Sequence, residues 1–283
     1  MLTTIVKAAF RKLGLDIRRL PQTWSYPPLP EWMHAAPMPS ESEMKDGNYL
    51  FSMLGNRNYR SDKITLRRTK WGEDYRLKYM LSALDVRGLN VLELGPFWGY
   101  HTAMLDKLGA ESIVAVEGRE SNIRVCEKVK QRYGLHRATF VCQNIEDLAK
   151  GEQPKFSGPF DLVFCLGLLY HLPDPASVLA WCRQRAPSLF LGTHYFEAAE
   201  RQRYRPPVFT ANAVLEQNGG RFEGMWYQEG GPDDGPSGLS PRSFWPKESA
   251  LISMLRSVGC TRINVLGRDL QDNLPHVTLI AEG

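Results

Sequence analysis

Tyr170 and His171 are neighbours of a kind that proton-transfer chemistry uses. An imidazole titrates near neutral pH, so His171 can take a proton from a hydroxyl. Three other polar side chains have types suited to holding a ligand beside it: Glu93, Glu117 and Asn144. Carboxylates attract a cation and accept hydrogen bonds, and an amide oxygen accepts from an amino group. Between the two glutamates stand Gly95 and Gly99, where a backbone without Cβ can approach a ligand closely. His101 and His194 are further base candidates. Each residue also has a plain structural role open to it: His171 as the cap of the next turn, Glu117 as an exposed loop glutamate.

The elements that must position these residues read as alternating strands and helices. Residues 71–85 predict a helix with Trp71, Tyr75, Leu77, Met80, Leu81 and Leu84 as its apolar positions. Strands follow at 90–94, 112–116, 138–142, 160–165 and 188–192. Helices are expected from about Gly99–His101 to Leu108-Gly109, at 121–133 with Ser121 as N-cap, and at 176–185. Short connections between them imply a parallel sheet covered on both faces. Residues 200–246, rich in Gly, Pro and aromatic residues, break this rhythm and read as an inserted flap with a short antiparallel ribbon. A helix at 247–257 and strands at 262–266 and 277–281 close the chain. The expected fold class is α/β: a Rossmann-like, seven-stranded, mostly parallel sheet with helices on both faces and a C-terminal antiparallel hairpin.

Within that frame Val91 to Thr102 runs from an apolar strand into a glycine, a bulky turn and a second glycine. It resembles motif I of the class I S-adenosylmethionine (SAM) dependent methyltransferases, with the pattern hxExGxxxGxxT. A dinucleotide site would instead show G-x-G-x-x-G, with a glycine that lets backbone touch a pyrophosphate. Phe97 stands at that place and Trp98 follows, which argues for a phosphate-free ligand. The stretch "FDLVF…GLLYHLPDP" at 160–175 resembles the motif IV region of the same group, with Asp161 in a structural role. The resemblance implies SAM as cofactor, held by Glu93, Gly95, Phe97, Gly99, Glu117, Asn144, Ile145 and Leu166. Glu93 would face the ammonium of the methionine part. Glu117, 22 positions after Gly95, would accept from the ribose hydroxyls. Asn144 stands where the group usually has an acid facing the adenine amino group, and Ile145 would offer its N–H to the ring. Tyr170 and His171, just past strand 4, would meet the substrate, with His171 as general base.

A narrower resemblance covers residues about 60 to 270. It is to the branch containing bacterial enzymes that modify 5-hydroxyuridine at the tRNA wobble position. Trp71, Glu93-Leu94-Gly95, Gly99-Tyr100-His101, "GLLYH" at 167–171 and "SFWP…AL…L…GC" at 243–260 carry it. It implies tRNA as a partner and a carboxylated form of SAM that Tyr170 would help to hold. The residues before 60 are unlike those enzymes, and the branch also includes methyltransferases of small molecules and glycans. The reading is therefore a methyltransferase, an O-methyltransferase acting on a hydroxyl of a sugar, glycan or small metabolite. The alternatives are a tRNA wobble-uridine (carboxy)methyltransferase and a catalytically inactive SAM-binding partner protein.

Composition bounds the rest. The chain has 283 residues, 43% of them apolar, enough for one large α/β domain with an appendage. No apolar run is long enough to span a bilayer. Cys126, Cys142, Cys165, Cys182 and Cys260 show no metal-ligand spacing; reduced, buried thiols in a cytoplasmic protein and no metal site are expected. Residues 1–20 carry the whole of the net +4, so the body is neutral and unlike a general nucleic-acid binder. Leu2, Ile5, Val6, Ala9, Phe10 and Leu13 share a helical face with basic residues between them. Such a helix packs on the body or a partner subunit of a homo-oligomer, or lies peripherally on the inner face of a membrane. The opening "KAAFRKLGLDIRRL" resembles the starts of some bacterial surface-polysaccharide enzymes. Prolines and aromatics at 21–40 make an extended arm. A basic stretch, Arg57 to Lys70, suits an anion or a solvated face. Residues 1–70 are thus expected to cover the substrate of a catalytic domain at 71–283.

Overall fold

The computed structural model describes residues 75–199, 209–230, 237–271 and 274–283. The expected N-terminal helix, the arm, the basic stretch, Trp71 and the flap segments 200–208 and 231–236 lie outside the described residues.

Helix α1 (Tyr75–Ala83) precedes β1 (Asn90–Leu94), α2 (Tyr100–Lys107), β2 (Ser112–Glu117), α3 (Glu120–Tyr133) and β3 (Ala138–Cys142). Then come α4 (Ile145–Ala149), β4 (Leu162–Leu166), a 3₁₀ turn (Leu169–His171), α5 (Pro175–Arg183) and β5 (Ser188–His194). The inserted strands are β6 (Phe209–Gln217), β7 (Gly220–Gln228) and β8 (Arg242–Pro246), followed by α6 (Glu248–Ser257), β9 (Arg262–Gln271) and β10 (Leu274–Glu282).

One sheet has seven strands in the order β3-β2-β1-β4-β5-β10-β9. β1 to β5 run parallel and β10 joins β5 antiparallel. The sequence explains this order. Every residue of β4 is buried, as a central strand covered on both faces requires. β9 at the edge is mostly exposed or half-buried, and its partner β10 is buried almost throughout. The expected Rossmann-like sheet with its C-terminal hairpin is present. Asp161 ties the sheet together at its base, its Oδ2 accepting the Asn90 N–H at 2.8 Å.

Three local expectations differ from the structure. α3 begins at Glu120, capped by the extended Arg119, so Ser121 lies inside the first turn and is not the N-cap. Glu120 suits that position because a carboxylate there complements the helix dipole. The hairpin strands run to Gln271 and from Leu274, longer than the apolar pattern suggested, because ladder pairing continues through polar residues past a register shift at Thr278/Leu279. The flap carries a three-stranded antiparallel sheet, β6-β7-β8, where a ribbon was expected. The third strand forms because Ser243, Phe244, Trp245 and Pro246 are all buried.

That small sheet is fastened to the turn after β4. The Phe244 N–H donates to the Leu172 carbonyl at 2.9 Å, and the Phe196 N–H to the Pro246 carbonyl at 2.8 Å. These two bonds bring the insertion to Tyr170 and His171. All five cysteines are free; Cys126, Cys165, Cys182 and Cys260 are buried. Among the described residues no helix is long and apolar enough to cross a membrane.

Candidate functional site

The turn after β1 forms one side of the site. Gly95 has φ +68, and a Cβ on it would stand 3.1 Å from the Leu168 Cβ. Gly99 has φ +82 and caps α2. Between them Phe97 takes φ 55, a left-handed conformation that a non-glycine residue rarely adopts. Its ring stacks on Trp98 with centroids 4.5 Å apart, and Trp98 Nε1 donates to Asn122 Oδ1 at 3.3 Å. The strained backbone turns the Phe97 N–H onto Glu117 Oε2 at 3.2 Å, while the Arg119 N–H donates to Oε1 at 2.9 Å. Glu117 is thus fixed at the end of β2 by one donor on each oxygen, with acceptor capacity left on both.

Glu93 is buried in β1 and accepts from the Thr102 hydroxyl at 2.5 Å. Burial pushes its carboxyl up to about 8; the Thr102 bond pulls it down, and the Glu117 charge raises it further. Burial also raises Glu117, against the opposing pull of the Arg119 and Phe97 N–H groups. Two buried acids under strain from their own charge suit a cationic ligand. A diphosphate fits badly, because the turn amide of Phe97 is already committed to a carboxylate.

Asn144 is the N-cap of α4, its Oδ1 accepting the Glu146 N–H at 3.0 Å. Ile145 is the first helical residue and is buried. Leu166 ends β4, its Cδ2 2.5 Å from where a Cβ on Gly192 would stand. The C-terminal ends of β1 to β4 therefore gather Glu93, Gly95, Phe97, Gly99, Glu117, Asn144, Ile145 and Leu166.

Tyr170 and His171 sit in the 3₁₀ turn directly beyond β4. His171 Nδ1 lies 3.1 Å from Glu229 Oε2 and 3.2 Å from Oε1. Glu229 follows β7, and sequence reading missed it; the only trace was an acid preceding Gly230-Gly231. Its carboxylate is fully buried and also accepts from Ser237 Oγ at 2.7 Å, the Gly238 N–H at 2.7 Å and Ser243 Oγ at 2.6 Å. Burial raises the Glu229 carboxyl, but the bond and charge of His171, with Ser243 and Gly238, outweigh it, leaving the group below the usual range. An ionised Glu229 selects the tautomer with the proton on Nδ1, which leaves the Nε2 lone pair of His171 to accept a proton.

One ring packs on that imidazole, and through it a cluster of others adjoins the site. Tyr170 lies 4.2 Å from His171, 4.6 Å from His194 and 5.7 Å from Trp245. Trp245 also stacks on His194 at 4.9 Å and contacts Tyr227 and Phe209. His194 is buried and its Nδ1 bonds the Pro275 carbonyl at 3.0 Å, so it serves as part of this wall. His101 lies edge-on to Phe164 of β4. Arg76 of α1 reaches over β4 and β5: its Nη1 is 3.5 Å, and the Tyr170 hydroxyl 3.8 Å, from where a Gly167 Cβ would be.

Residues 91–186 match the family described as a methyltransferase domain. A ubiquinone biosynthesis O-methyltransferase of Xanthomonas euvesicatoria pv. vesicatoria is 31% identical over 121 residues, 42% of this chain and 48% of that protein. One from Coxiella burnetii is 34% identical over 107 residues, 38% of this chain and 43% of that one. The matches thus span about half the length of these relatives or less. Among solved structures, the N-terminal domain of EvdMO1, crystallised with S-adenosylhomocysteine (SAH) and D-fucose, superposes with a TM-score of 0.61 at 21% identity. It covers 85% of this chain and 97% of that one. Magnesium protoporphyrin IX methyltransferase from Synechocystis PCC 6803, with bound SAH, gives 0.50 at 14% identity over 99% of each chain. The fold is the Rossmann-like fold of SAM-dependent methyltransferases.

Proposed function

We propose that this chain is a SAM-dependent O-methyltransferase acting on a hydroxyl of a sugar, glycan or other small metabolite. The observation that carries the reading is the His171–Glu229 pair, placed just past β4 beside a cradle that suits a cationic cofactor. SAM, when bound, supplies a methyl group activated on a sulfonium. The chain's own residues fit it: the left-handed turn at Gly95 and Phe97, the braced carboxylate of Glu117 and the buried carboxyl of Glu93.

What remains for the protein is positioning and the proton. Orientation of two reactants can lower a barrier by about 7–11 kcal/mol. His171 Nε2 takes the hydroxyl proton as the oxygen becomes nucleophilic. The imidazolium so formed faces the Glu229 carboxylate, and the proton then passes to solvent. Tyr170 packs against the imidazole and keeps water from that side, and its ring suits the apolar face of a sugar or the plane of a phenol. Two likenesses support an oxygen acceptor: D-fucose accompanies SAH in the EvdMO1 structure, and the sequence relatives are named O-methyltransferases.

The test is incubation of the full chain with methyl-labelled SAM and, separately, deoxy and neutral sugars, phenolic metabolites and total tRNA. Label in a sugar or phenol, as an alkali-stable methyl ether, is the expected result. Label in tRNA alone would reassign the acceptor to a nucleic acid. SAH binding without transfer to any acceptor would favour a SAM-binding partner protein, and calorimetry showing no SAH binding would end the reading.

A further inference from the structure

The insertion does more than present Glu229. Its segment Ser237–Ser240 crosses from the base to the ends of β2 and β3. On one side the Ser237 hydroxyl and the Gly238 N–H bind Glu229. Gly238 packs so closely that a Cβ on it would stand 2.5 Å from the His171 carbonyl. On the other side the Arg119 guanidinium donates to the Ser237 carbonyl at 2.5 Å. The Ser240 hydroxyl donates to Glu146 at 2.8 and 3.0 Å. Between these anchors lies Leu239, whose Cδ1 is 2.5 Å from where a Cβ on Gly118 would be; Asn144 Cα is 3.8 Å from the same point.

Gly118 directly follows Glu117, so a side chain there would line the space between Glu117 and Asn144. Gly118 has none, and its backbone is outside the left-handed region that would require glycine. A leucine from 121 positions further along the chain fills the place instead. Resting on the methyltransferase reading above, we propose that Leu239 is a cofactor-binding residue. It supplies the apolar wall against which the nucleobase of SAM and SAH lies, and the strap that carries it makes the insertion part of the cofactor site. An aliphatic wall beside Asn144 suits a nucleobase, because an adenine ring presents apolar faces that gain by leaving water.

The test is calorimetry with SAH and with adenosine on the full chain. Leu239→Ala should weaken both by the same factor, roughly tenfold or more, because the lost contact is to the base alone. Gly118→Val in the Leu239→Ala background should recover part of that loss by refilling the slot from the β2 side. Thermal melting without ligand reports whether either variant is folded. Tighter SAH binding by folded Leu239→Ala would make Leu239 a plug and overturn the proposal, as would unchanged affinity. So would a loss confined to SAH that spares adenosine. A wild-type chain that binds neither ligand would instead remove the methyltransferase reading on which the proposal stands.

Discussion

The two halves of the site are built by opposite rules. The proposed cofactor half is local: Glu93, Gly95, Phe97 and Gly99 fall within one strand-to-helix turn, and Glu117 meets them through a neighbouring parallel strand. The proposed base half is assembled across 58 residues, with His171 in the turn after β4 of the central sheet and Glu229 just past β7 of a separate three-stranded sheet. Backbone conformation holds the first half; a cluster of side-chain hydrogen bonds holds the second. Variants of the two halves should therefore separate binding from turnover.

The largest effect is expected from His171→Ala. Loss of a general base costs roughly 10²- to 10⁴-fold in rate. SAH affinity should stay near wild type, because Glu229 keeps Ser237, Gly238 and Ser243 as partners and the strap stays in place. Single-turnover transfer and SAH calorimetry on one preparation check this. If both fall together, the halves are not separable.

Glu229→Gln comes next, with an expected loss of about 10²-fold in turnover. Its amide nitrogen can donate to Nδ1, which would move the imidazole proton to Nε2 and remove the acceptor lone pair. Long-range ¹⁵N–¹H spectra of the His171 ring should show that exchange of tautomers. A fall in rate without a change of tautomer would make Glu229 a packing residue only.

Gly95→Val addresses the other half. A branched side chain at φ +68, pressed toward Leu168, costs about 1–3 kcal/mol of strain. SAH affinity should fall roughly tenfold or more, while the His171 tautomer stays as in the wild-type chain.

The same contrast governs how much was legible in advance. The seven-stranded sheet could be read from buried strands alternating with helices, since covered parallel strands write themselves as apolar runs. Gly95 and Gly99 stand out in sequence for close approach to a ligand; in the structure both take positive φ, and Leu168 and Phe140 pack where their Cβ atoms would stand. Glu229 could not. Its role comes from a pairing between two sheets, and nothing in the residues around position 229 marks which histidine it will meet. Serine is a good capper, which points to Ser121, yet the extended Arg119 caps the helix two residues earlier. Asn144 was read for its amide oxygen, which the structure engages with the Glu146 N–H. Leu239 carried no signal beyond being apolar within a glycine-rich loop.

The smallest expected effect tests the electrostatics of the cofactor half. Glu93 has a folded value of about 8 against an ordinary 4.5, so between those pH values the folded chain holds a proton that the unfolded chain has lost. Stability of the ligand-free protein must then fall as pH rises through that window, by at most about 1.4 kcal/mol per pH unit for one group. Below it both states are protonated, and above it both are ionised, so the slope vanishes at each end. Glu117, raised in the same direction by burial, adds to the fall. A sulfonium nearby favours the ionised carboxylate and SAH has none, so the affinity ratio of SAM to SAH should rise a few-fold from pH 6 to pH 8. Glu93→Gln should flatten that ratio and lessen the stability slope, leaving the His171 tautomer untouched. A ratio independent of pH in the wild-type chain would show that the Glu93 carboxylate does not meet the sulfonium.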